Sequence, residues 1–107
     1  LDVEGSPPFT ITIADIAASA QMLYGTEHQA GIKDFLPMNF LRILNKGGTT
    51  LRIYLNDNTN GEIILPDTIY THGGEVWNFM LSNLSTTTTA TGSLIYCTVQ
   101  HKPVGAR

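Results

Sequence analysis

Apolar side chains recur at every second position through much of the chain between Phe40 and Val99. Leu41-Arg42-Ile43, Leu51-Arg52-Ile53-Tyr54-Leu55, Trp77-Asn78-Phe79-Met80-Leu81 and Ile95-Tyr96-Cys97-Thr98-Val99 each put alternate apolar residues on one face. That period marks strands with one face in a core and the other towards solvent. Phe9-Thr10-Ile11-Thr12-Ile13 opens the series, and Glu62-Ile63-Ile64-Leu65, stopped by Pro66-Asp67, and Ile69-Tyr70-Thr71 add short members. Turn signals recur every eight to twelve residues or roughly so, the spacing of sandwiches and barrels. The expectation is an all-β, single-domain antiparallel β-sandwich, jelly-roll-like, with seven to eight short strands. Its core is expected to hold Leu41, Ile43, Leu51, Ile53, Leu55, Trp77, Phe79, Leu81, Ile95, Cys97 and Val99.

Three stretches break the alternation. Residues 1–8 are polar, with Gly5 and Pro7-Pro8, and read as an extended N-terminal arm, disordered or laid over a neighbouring subunit. The sandwich then covers 9–101, and 102–107 form a C-terminal tail. Ala14 to Tyr24 admits a short helix capped by Asp15, but eleven residues make a marginal helix, and the flanks favour a bend near Ala17-Ala18 followed by a strand. Gly25 to Pro37 reads as loop. Ser82 to Ser93, with Thr86-Thr87-Thr88-Thr89, has no apolar partner face and reads as an exposed loop or hairpin tip.

The segments flanking Lys46-Gly47-Gly48-Thr49-Thr50 read as a hairpin. A register pairing Arg42 with Arg52 is repulsive. Pairing Ile43 with Ile53 and Leu41 with Leu55 places Arg42 beside Tyr54 outside and leaves the glycines in the loop, free to take positive φ.

Composition narrows the function classes. The chain has 107 residues, enough for one two-layer core. Six Lys+Arg against nine Asp+Glu, with no basic stripe, argue against nucleic-acid binding, which depends on clustered cations. The longest apolar run is four residues, so no segment here spans a bilayer. No basic n-region precedes an apolar core, so no signal peptide is expected, and the start at Leu1 suggests a processed or excised piece. Charged residues make up only 14%, against about a quarter in ordinary domains, which favours a surface kept against neighbours.

Candidate chemistry is sparse. Asn56-Asp57-Asn58-Thr59-Asn60-Gly61-Glu62-Ile63, ending at Asp67, copies the spacing of a calcium loop, but its three early ligands are neutral amides and strands flank it. A turn is the better reading. His28, His72 and His101 are far apart, with Glu75 a surface partner for His72. Ser6, Ser19, Ser82, Ser85 and Ser93 sit outside any nucleophile elbow, Glu62 and Asp67 bracket a strand without forming a carboxylate pair, and Cys97 reads as a buried, inert thiol. Asn83-Leu84-Ser85 fits a glycosylation sequon. No catalytic, cofactor-binding or metal residue is assigned, no cofactor is expected, and the chain does not read as an enzyme.

In order along the chain stand Thr10-Ile11-Thr12-Ile13, Ala20-Gln21-Met22-Leu23, Ile43-Leu44-Asn45-Lys46-Gly47, Ile63-Ile64-Leu65-Pro66, Thr86 to Thr91 and Cys97-Thr98-Val99. This succession, over most of residues 9 to 101, resembles small β-sandwich structural proteins of phages and archaeal viruses; it departs in the long Gly25–Pro37 insertion. The resemblance implies a virion component such as a decoration, minor capsid or spike- or turret-base protein, partnered by itself and by other virion proteins, with no nucleic acid and no membrane insertion. A carbohydrate- or ligand-binding sandwich, with Trp77 or Tyr54 exposed, is the alternative.

Overall fold

The computed structural model describes residues 5–25 and 32–103. Eight strands form: β1 (Phe9–Ile11), β2 (Gln21–Gly25), β3 (Phe40–Asn45), β4 (Leu51–Leu55), β5 (Glu62–Ile64), β6 (Thr68–His72), β7 (Asn78–Asn83) and β8 (Ile95–Gln100). They make two antiparallel four-stranded sheets, ordered β1-β8-β3-β6 and β2-β7-β4-β5. This is the order of an eight-stranded jelly roll. Advancing every strand of β1–β4 by four carries one sheet onto the other, so the two halves of the chain are built alike.

Alternation does the work expected of it. Leu41 and Ile43 on β3, Leu51 and Ile53 on β4, Phe79 and Leu81 on β7, and Ile95, Cys97 and Val99 on β8 all point into one core. The bend-then-strand reading of Ala14 to Tyr24 holds: the chain turns at Ala18–Ser19, with Ser19 at φ 59°, and enters β2. Asp15 caps no helix; its carboxylate accepts the Gly92 N–H at 2.7 Å. Of Ser82 to Ser93, read as an exposed loop, only the middle is one: Thr86 to Thr89 are exposed, whereas Ser82 and Asn83 end β7 and buried Ala90 bridges to Ile16.

The hairpin expectation is overturned. β3 pairs with β6 and β8, whereas β4 pairs with β5 and β7, so Lys46–Thr50 crosses from one sheet to the other. Ile43 stands beside Tyr70 and Cys97, and Ile53 beside Glu62 and Leu81. Arg42 and Tyr54 consequently lie on opposite outer faces of the sandwich. The physical cause is Asn45, an amide at the inward position of β3. It is fully buried, donates from Nδ2 to the Thr49 carbonyl at 2.8 Å, and accepts the Gly47 N–H on Oδ1 at 3.1 Å. Those bonds close the turn on itself and free β4 to enter the facing sheet.

Trp77 is the second correction. It is 43% exposed, and Val76 is buried in its place, bridging to Met38. The chain bends at Trp77, so Val76 and Phe79, three residues apart, both face inward. Leu55 is partly buried at the core margin. The core also takes Ile11, Ile13, Ile16, Ile32, Met38, Ile64 and Ala90. Ile32 starts a short 3-10 turn (Ile32–Phe35) inside the stretch read as loop and plugs the core from there.

Of the arm, residues 1–4 lie outside the described residues, as do tail residues 104–107. Ser6 is buried, its N–H donating to the His101 carbonyl at 2.8 Å and its Oγ accepting the His101 N–H at 2.9 Å. The end of the arm is thereby stitched to the end of β8.

Candidate functional site

Two surfaces stand out, one on each outer sheet face. Strand parity decides which side chains reach them. On the β1-β8-β3-β6 sheet the outward residues are Thr10, Tyr96, Thr98, Gln100, Phe40, Arg42, Leu44, Ile69 and Thr71. Register places Leu44 directly between Ile69 and Tyr96, making one apolar row across three strands. Ile69 is 60% exposed and Tyr96 53%. The next row, Thr71–Arg42–Thr98–Thr10, is polar, and Arg42 is the one charge among these outward strand residues. Beyond the apolar row, Lys46 Nζ meets Asp67 Oδ1 at 3.4 Å across two exposed side chains. β6 forms one border of the sheet, and among the described residues no strand pairs with its outer edge.

On the opposite sheet, parity sends Leu23, Met80 and Tyr54 outward in one row. The β4–β5 turn rises beside them, and together they enclose an open groove of about 370 Å³ lined by Gln21, Leu23, Tyr54, Asp57, Asn58, Thr59, Asn78 and Met80. The turn is held firmly. Asn56 and Asp57 take positive φ, 52° and 61°, and the Asn56 side chain donates to the Glu75 carbonyl at 2.7 Å while accepting the Trp77 N–H at 2.7 Å. Asn58 Oδ1 accepts the Asn60 N–H at 2.9 Å. Asn56 and Asn58 are thus engaged as turn locks, the reading that calcium-loop spacing competed with.

The remaining sequence candidates do not converge. Ser6 and the His101 backbone are bonded to each other, but the Ser6 hydroxyl donates to the Pro7 carbonyl and the His101 ring Nδ1 lies 2.8 Å from the Pro37 carbonyl. The two side chains therefore have separate partners. His28 lies outside the described residues. Glu75 accepts the Trp77 indole N–H at 2.6 Å rather than serving His72 as its partner. Cys97 is buried, and desolvation pushes its thiol up to about 12. Asn83 of the sequon is buried, with Nδ2 donating to the Ile16 and Thr88 carbonyls, so its amide is closed to glycosylation. Among the described residues no group of three or more His, Cys, Asp or Glu side chains could hold a metal ion.

Sequence reasoning singled out Tyr54 but not its groove, and missed the Ile69–Leu44–Tyr96 row altogether. The row joins residues from three separated segments, and only pairing of β3 with β6 and β8, which the hairpin reading forbade, brings them together. No family model, curated protein or solved structure matches this chain.

Proposed function

We propose that this domain is a non-enzymatic structural subunit that acts through self-association and contacts with other proteins of a virion, as a decoration, minor capsid or spike-base component. The observation that carries the reading is the exposed Ile69–Leu44–Tyr96 row, set in register on an outer sheet face with a single charge. Ordered strands hold these three side chains in a fixed plane, so covering them costs little conformational entropy. A contiguous apolar strip of this kind gains from burial against a neighbour at roughly 25 cal/mol per Å². Strand β6 (Thr68–His72) beside it, which holds no Lys, Arg, Asp, Glu or Pro, offers unpaired backbone groups of the sort that proteins otherwise shield with lysines, prolines or bulges.

The jelly-roll order supports this reading, since double-sheet jelly rolls serve in capsid and lectin domains. Fold alone does not select between those uses; the exposed Ile69–Leu44–Tyr96 row is what favours the assembly reading. The partners are copies of the same chain and other virion proteins, without nucleic acid or a membrane. Hydrogen exchange at rising protein concentration tests the assignment. Protection is expected to grow along β6 and the outer edge of its sheet; concentration-independent exchange there contradicts it.

A further inference from the structure

The groove on the β2-β7-β4-β5 face is unused by the assembly surface, which lies on the other side of the sandwich. The geometry points to this groove as a binding site for a terminal neutral pyranose of a glycan. Its volume, about 370 Å³, lies at the small end of ligand pockets, which run roughly 300–1,000 Å³. Leu23, Met80 and Tyr54 form a continuous apolar strip along one register row, suited to the C–H face of a sugar ring.

The rest of the lining is polar and short. Asp57, Asn58 and Thr59 stand on the turn and Gln21 and Asn78 on the strands, together offering both donors and acceptors to ring hydroxyls. Asp57 is the only charged residue among them, and among the described residues no cation lines the groove, so sulfated, sialylated and phosphorylated ligands are disfavoured.

The site is also preorganised. The Asn56 bonds fix the turn, and at Gly61 a Cβ would lie 2.8 Å from Tyr54 Cε1 and 2.6 Å from the Arg52 stem. The loop backbone therefore lies directly against the Tyr54 ring and holds it in place. A ligand then orders little on binding.

The test is a titration of the full chain, followed by amide chemical-shift mapping, with the methyl pyranosides of glucose, galactose, mannose and N-acetylglucosamine. Sialic acid and glucose 6-phosphate form the anionic arm. At least one neutral glycoside is expected to saturate in the millimolar range or tighter, shifting residues 21–23, 54–59 and 78–80. Asp57→Gly keeps the positive φ and removes the carboxylate; Tyr54→Ala removes the ring. Each is expected to weaken binding by about tenfold or more, with the Asp57→Gly spectrum otherwise native. No saturation by any neutral glycoside, binding mapped elsewhere, unchanged affinity in Asp57→Gly, or preference for the anionic sugars would each overturn the assignment. The oligomeric state is read separately, so a failure here leaves the assembly reading standing.

Discussion

Asn45 and Asn83 are counterparts: each is the last inward residue of its strand, each is buried, and each ties the crossover that leaves its sheet. Asn45 Oδ1 accepts the N–H two residues on, from Gly47, and Asn83 Oδ1 likewise accepts that of Ser85. Their Nδ2 groups donate to carbonyls of the crossing loop, Thr49 and Thr88, and reach those of a second segment, Ile64 and Ile16. A buried amide so satisfied is a positional lock, since any other placement would leave polar groups unpaired.

Replacing either lock with alanine therefore orphans several buried backbone groups at once. Asn45→Ala and Asn83→Ala are each expected to lower stability by about 1–3 kcal/mol, read from the urea midpoint. Asn45→Asp is expected to be at least as harmful, because a carboxylate cannot donate to Thr49 and Ile64. A variant unfolding at the parental midpoint would contradict this role.

Core and rim residues separate by substitution. Ile53→Ala and Phe79→Ala each vacate a packed interior and are expected to cost about 2–5 kcal/mol. Trp77, despite its size, lies outside that core, so Trp77→Ala is expected to cost less than Phe79→Ala. Equal losses would return Trp77 to the interior.

These two outcomes show where the sequence was legible. Alternation and short apolar runs marked seven of the eight strands and nine of the core positions, because burial of alternate residues dominates the energetics of each strand, while β2 was read from its flanks. It could not say which strands are neighbours. Lys46-Gly47-Gly48-Thr49-Thr50 has hairpin composition, and the contrary signal was a single polar residue, Asn45, continuing the inward series of Leu41 and Ile43. Trp77 was misplaced because a bend between two strand-like residues shifts the parity of everything before it, and alternation carries no record of a bend. Ile32 and Met38 were missed for a related reason: they plug the core from irregular backbone, where no period exists. The candidate surfaces inherited these gaps, since both are products of pairing.

Alkaline pH should weaken the fold with a definite sign. Burial raises the Cys97 thiol from its ordinary 9.0 to about 12, and burial also raises Tyr24 and Tyr70 above 10.0. Groups with raised folded values hold their protons more tightly when folded, so their contribution is complete below about 9 and is lost as pH climbs towards 12. Urea midpoints are expected to be unaffected by these groups from neutral pH to 9 and to fall above it. Cys97 is expected to resist thiol reagents in native protein at neutral pH and to react once unfolded.

Calcium should leave stability unchanged. The Asn56 side chain is bonded to Glu75, Trp77 and Asn78, and Asn58 closes its own turn, so neither amide is offered to a cation. Thermal melts in millimolar calcium and in chelator are expected to coincide. A rise of several degrees with calcium would contradict the turn-lock reading.

The central claim, that the Ile69–Leu44–Tyr96 face is an assembly surface, is tested most directly by sedimentation velocity at tens of micromolar. The parent chain is expected to sediment as an oligomer, and Ile69→Lys with Tyr96→Glu, which leaves the core untouched, as a monomer with a parental melting curve. A parent that is monomeric at that concentration, or a double variant that still associates, would contradict it.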